Sequence, residues 1–441
     1  MINTAFLDHL AEARSDAAFA RTAAGLAALQ VYDSIRSHGF DPFVHEEVLA
    51  HIASDVEAIP SGTNVRVALE SVIQALPFWD AGGTIRIGRR AVYTALLVYG
   101  QALGDEGEWT LAESVYAGVG MDAELDGETW LAAESRLLMG RACRMCADWQ
   151  TSQIAYRRAY ELGMDAGDIA IALRAQIGEA NNLWGRGDFP AGKRLLARTA
   201  HRARQSCPEI LPRVTLAMAG LANAAGEYER AINLTFGLLQ ELAPHHEMRY
   251  KALVDLAAFL ADYGLPSVAA EALQVVERTA SEPRVRLHAQ LNRFFLSAQH
   301  DTEAVFTVSR AALATESLTP RQQTQFAIFA SQGYRRFSRL DAAQASAEHA
   351  VRLANQFELF QLVFEAEAEQ TAIAAARRTA AIAEMDEAVT PANHTAAHRG
   401  SSRPGKALYR STTGGKLSPR IRRVAESLES MARQLAATDA I

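Results

Sequence analysis

The feature that most constrains this chain is a short motif that returns at a nearly constant interval. It consists of a small residue, an acid, an aromatic, and a small residue three places further on. Copies stand at Gly107-Glu108-Trp109 with Ala112, Ala147-Asp148-Trp149 with Ser152, Gly187-Asp188-Phe189 with Gly192, and Gly226-Glu227-Tyr228 with Ala231. Anchored on Gly107, Ala147, Gly187, Gly226, Gly264, His300 and Ser338, the successive spacings are 40, 40, 39, 38, 36 and 38 residues. A period of this size belongs to one supersecondary unit that cannot bury its apolar face alone and stacks on its neighbours. The motif reads as the tight turn of a helical hairpin. The aromatic, Trp149 or Tyr228 for example, plugs the corner, and the small residues at the fifth and twelfth positions let helices approach closely. Seven hairpins are expected.

Composition agrees with a helical array. Aromatics make up 7% and prolines number 13 in 441 residues, and alanine is abundant, which favours helix over turn-punctuated sheet. An extended array reaches this length without several separate cores. The most apolar stretch, Ala91 to Leu103, is interrupted by Tyr93, Thr94, Tyr99, Gly100 and Gln101, so no membrane span is expected. The first nine residues carry neither a basic nor an apolar leader pattern, and three cysteines do not make a disulfide framework. A cytoplasmic protein is expected.

Four segments follow. Residues 1–87 read as a helical cap or degenerate repeats, because a terminal repeat has one face toward solvent and is atypical. A separate effector domain is the alternative. Residues 88–389 hold the repeat array and a closing helix. Residues 390–418 are rich in Pro, Gly, Ser and Thr, without an acid, and read as a flexible basic linker. Residues 419–441 read as an amphipathic helix: Ser418-Pro419 is a helix start, and Ile421, Val424, Leu428, Met431 and Leu435 form one stripe.

Motifs with chemical potential are few. Cys143-Arg144-Met145-Cys146 lies within a helix, with Cys207 as the one other thiol, so packed structural cysteines fit better than a redox or zinc site. His45-Glu46-Glu47 with His51 lacks the spacing that puts two metal ligands on one helical face. Pro244-His245-His246-Glu247 reads as a polar turn, and Gly414-Gly415-Lys416 lacks the frame of a phosphate loop. No nucleophile, base and acid form a set. No catalytic residue, cofactor or metal is expected.

Gly140, Trp149, Ser152, Tyr156 and Ala159 in one unit, with Gly226, Tyr228 and Ala231 in another, resemble the tetratricopeptide repeat family, here with a period longer than its usual length of about 34. The resemblance implies an all-α, right-handed α-solenoid of stacked helix-turn-helix units, and non-catalytic adaptor, scaffold or regulatory roles. Longer variants of the repeat occur in bacterial signalling proteins, including receptors for secreted peptides. It also implies that the first helix of each unit lines a concave groove. Transferring that spacing selects Arg141, Arg144, Arg174, Asn181, Trp184, Arg213, Asn223 and Lys251 as candidate peptide contacts. Guanidinium and ammonium groups match carboxylates, and amides pair with an extended backbone, so a protein or peptide partner with acidic groups is expected. The alternatives are a ligand- or peptide-responsive sensor, and a regulator that reaches nucleic acid through residues 399–423. That tail holds eight basic and no acidic residues, whereas residues 1–389 are formally −13.

Overall fold

The computed structural model describes residues 4–13, 16–60, 63–79, 85–243, 246, 248–389 and 419–438. Within them every regular element is helical. Four helices come first: α1 (Thr4–Glu12), α2 (Asp16–His38), α3 (Pro42–Glu57) and α4 (Asn64–Ala75). Seven hairpins follow. Their first members are α5 (Ile85–Asp105), α7 (Thr129–Met145), α9 (Ile169–Gly185), α11 (Leu211–Ala224), α13 (Arg249–Asp262), α15 (Pro283–His300) and α17 (Pro320–Arg336). Their second members are α6 (Trp109–Leu125), α8 (Trp149–Asp165), α10 (Phe189–Ser206), α12 (Tyr228–Glu241), α14 (Pro266–Thr279), α16 (Glu303–Leu313) and α18 (Leu340–Gln356). Helices α19 (Phe360–Val389) and α20 (Pro419–Thr438) end the order. The basic segment 390–418 lies outside the described residues, as do Pro244, His245 and Glu247.

The recurring motif is two helix caps back to back. The anchor residue takes the left-handed conformation at Gly107 (φ 90°), Ala147 (60°), Gly187 (86°), Gly226 (77°), Gly264 (104°) and Ser338 (59°). The next amide then donates back into the preceding helix: Glu108 N to Leu103 O at 2.9 Å, Asp148 N to Cys143 O at 2.8 Å, Asp188 N to Leu183 O at 2.8 Å. This closes the helix end by pairing an otherwise orphaned carbonyl. The acid that follows is the N-cap of the second helix. Where it is aspartate, its carboxylate accepts from an amide three residues on, as at Asp148 (Thr151 N, 3.0 Å) and Asp188 (Ala191 N, 3.1 Å). Where it is glutamate, the longer side chain takes an arginine: Glu108 accepts from Arg21 at 2.8 Å and Glu227 from Arg230 at 3.0 Å. The sixth anchor differs. Helix α15 runs through His300, Asp301 is extended, and Thr302 caps α16 by accepting from Val305 N at 3.5 Å, so no left-handed residue is needed.

The chain divides into two compact units, Met1–Ala217 with Ser317–Pro320, and Met218–Glu316 with Arg321–Ile441. In the first unit α5 to α10 pack consecutively, α4 packs on α5, and α1 touches α2 and α6. Its core runs without a break from Phe6 and Leu29 through Trp79, Tyr93 and Leu111 to Tyr156 and Ile171. Close approach is set by rings against glycines. Tyr156 of α8 covers both Gly140 of α7 and Gly178 of α9, where an added Cβ would stand 2.8 and 2.3 Å from ring atoms. Trp149 similarly covers Gly185, with 2.5 Å to the same imagined atom.

Trp149 is therefore a buried plug, but Tyr228 is only half-buried. One repeat on, the position matching Gly185 is Asp262, whose carboxylate accepts from Asn223 at 2.8 Å. In the second unit α12 to α16 pack consecutively, and Phe306 covers Gly333 within a ring cluster that includes Phe294, Phe326 and Tyr334. Helix α20 lies against α14 and α12, burying Ile421, Val424, Ala425 and Leu428. That placement removes these four side chains from water.

Candidate functional site

The first helices of the hairpins carry the candidate residues. In the first unit Arg141 and Arg144 stand on α7, Arg174, Asn181 and Trp184 on α9, and Arg213 on α11. Asn223 and Lys251 belong to the second unit, on α11 and α13. Arg174 and Asn181 are seven residues apart, which places them within about 20° on α9, and Trp184 is one turn beyond. Glycines 178 and 185 aim the neighbouring stripe at the rings of α8. The polar stripe thus borders the packed face without entering it.

Arg174 is engaged. Its guanidinium forms two 2.9 Å bonds to both oxygens of Glu134 on α7, a planar two-point pair. Glu134 and Arg174 occupy the same phase of successive repeats, 40 residues apart. Arg141 lies 5.8 Å from the Trp109 ring centroid and is otherwise exposed. Arg144 is half-buried, and its Nε finds no hydrogen-bond partner among the described residues. Asn181 and Trp184 are half-buried, and Arg213 is exposed. In the second unit Asn223 donates to Asp262, and Lys251 is exposed beside Asp255, one helical turn on.

Carboxylates alter the picture drawn from the cations. Glu134, Asp255 and Asp262 stand among the arginines, the lysine and the amides, so each unit presents mixed charge. Burial pushes the Asp255 carboxyl up to about 6, against the opposing pull of Lys251, and burial likewise raises Asp262. For Glu134 a signal exists in the sequence, since it stands in the same phase as Arg174 one period earlier.

The thiols are inert. Burial pushes Cys143 far above its ordinary value and Cys146 up to about 12, and all three cysteines are free. Among the described residues no group of three His, Cys, Asp or Glu is placed to hold a metal, and no helix is long and apolar enough to cross a membrane.

No protein-family model matches the chain, and no curated protein does. Solved structures share its fold. The Rap conjugation gene regulator of the plasmid pLS20, in complex with a Phr peptide, superposes with a TM-score of 0.53 at 13% identity, over 76% of this chain and 96% of that one. A Rap protein complexed with competence and sporulation factor gives 0.50 at 12% identity, over 76% and 99%. The chain is a tetratricopeptide-like helical repeat protein in fold.

Proposed function

We propose that this protein is a non-catalytic, peptide-binding regulatory or adaptor module that takes an extended peptide or partner helix along the first-helix stripe of its hairpins. The observation that carries the reading is the Glu134–Arg174 pair. There the chain satisfies a guanidinium fork with its own carboxylate, the group a peptide's acidic side chain or C-terminus would offer in the same geometry. Asn181, one heptad along the same stripe, is an amide suited to pair with a peptide backbone. The contacts are Arg141, Arg144, Arg174, Asn181, Trp184 and Arg213, all of them in the first unit. One solved structure of this fold holds a Phr peptide and another a competence and sporulation factor, which supports the class of ligand and nothing finer.

Site-specific photocrosslinking tests the reading. A benzophenone residue at Asn181, with one at exposed Arg157 on α8 as control, is irradiated in the native cell. Peptide adducts at 181 and none at 157 support it. Adducts at 157 alone, or none at 181 while the protein retards nucleic acid, overturn it.

A further inference from the structure

Helix α1 is fastened at a corner where charge and burial pull in opposite directions. Its His9 ring donates or accepts at both nitrogens: Nδ1 stands 3.0 Å from Ala5 O, and Nε2 stands 3.3 Å from Glu108 Oε2. A neutral imidazole has one N–H to share between these two acceptors, whereas an imidazolium supplies both. The Thr110 hydroxyl, at 3.5 Å, is the one donor in reach of a neutral Nε2, and Glu108 is closer. Around this ring stand Glu12 of α1, Arg21 of α2, and Glu106 and Glu108 at the α5–α6 turn. Arg21 bonds both turn carboxylates. With His9 charged, two cations face Glu106 and Glu108; without its proton, one does. The hydrogen bond to Glu108 raises the His9 imidazole above its ordinary value, and His9 in turn lowers the Glu108 carboxyl.

Burial on the same helix is incomplete in its polar satisfaction. Phe6 is fully buried and lies over Gly25 of α2, at the spot where the Tyr99 hydroxyl of α5 presses against the same glycine. That hydroxyl is 1% exposed at its residue and has no hydrogen-bond partner among the described residues, and neither does Arg21 Nε. Seating Phe6 thus gains apolar contact while keeping a phenol and a guanidinium nitrogen from water, which opposes closure. The charge on His9 adds to the closing side of this balance.

We propose that α1 is a pH-dependent strap, closed over the α5–α6 corner while His9 carries its proton and lifted when the proton is lost. The sign follows from linkage. The closed-state value of His9 is raised, so its contribution is fully present below about 6.5 and is lost as pH rises through the raised value. Within that window the closed-to-open ratio falls by at most about tenfold per pH unit.

Deuterium exchange of the segment 4–13 in the full chain, read by mass spectrometry from pH 5.5 to 8.5 and corrected for intrinsic exchange, tests this. Protection in the wild type should fall with pH toward the tenfold-per-unit limit. It should stay flat and low in His9→Gln, and flat and high in His9→Lys, which keeps a cation throughout. A flat wild-type profile overturns the strap, and so does a slope that survives in His9→Gln. Should His9→Gln disorder α1 at every pH, the wild-type slope and the His9→Lys profile still decide.

Discussion

The ring of Tyr156 occupies the space that a side chain at Gly178 would need, with ring atoms 2.3 Å from where the Cβ would stand. The ring belongs to α8 and the glycine to α9, so one side chain fixes how closely successive hairpins pack. Gly178→Ala should therefore destabilise the first unit by about 1–3 kcal/mol, despite a helix-propensity gain of under about 1 kcal/mol. Tyr156→Ala should cost roughly 3–5 kcal/mol. Denaturant melts of both variants check this, and a stabilised Gly178→Ala would refute the wedge.

The left-handed anchors make a separate prediction. Ala147 carries its Cβ at φ 60°, a conformation in which glycine is not penalised, whereas Gly226 at φ 77° has open space around an added Cβ. Ala147→Gly should raise stability by about 0.5–1 kcal/mol, and Gly226→Ala, where an added Cβ meets nothing, should lower it by roughly 1–2 kcal/mol. Thermal melts that move both variants in the same direction would contradict the turn geometry.

Asp255 gives a pH dependence. Its folded value of about 6 exceeds the ordinary carboxylate value of about 3.9, so the folded state holds a proton that the unfolded state has released. Its contribution to stability declines as pH rises from about 4 through 6. Asp255→Asn should raise the melting temperature at pH 7.5 and change it little at pH 4. A gain of equal size at both pH values would remove this account.

Helix α20 should come off when its buried face is charged. Leu428 is fully buried where α20 packs on α14 and α12, and Leu428→Glu forces a carboxylate into that apolar contact. Limited proteolysis should then cut within residues 419–438 faster than in the wild type, while α5 to α10 remain intact. Unchanged cleavage would show that the helix is held by something other than this stripe.

The hairpin count and their turns were legible because each depends on residues adjacent in sequence: a left-handed anchor, an N-cap acid, and a ring. The role of the acid was not. Asp148 and Glu108 look alike as charges, yet side-chain length makes one a cap and sends the other to Arg21. At Tyr228 the ring is half-buried, and the position matching Gly185, which Trp149 covers, is Asp262, 34 residues away in sequence. The stripe on α9 could be placed from the period, but its electrostatics needed Glu134, one full repeat earlier. The attachment of the first four helices was opaque. Tyr32 donates to Asp122 at 2.6 Å, and Arg36 meets the same carboxylate at 2.7 Å, across about 90 residues with no periodic relation.

In the proposed mode of binding, the first-helix stripe takes acidic peptide groups through a guanidinium now held by Glu134. Fluorescence anisotropy with a labelled library of short peptides ending in free carboxylates, run on wild type, Glu134→Gln and Arg174→Glu, measures this. Because Glu134→Gln removes the internal competitor, it should bind at least several-fold more tightly than the wild type. Arg174→Glu should lose binding, and because it sets a second carboxylate against the largely buried Glu134, its melt should fall as well. Equal affinity in all three proteins would contradict the claim.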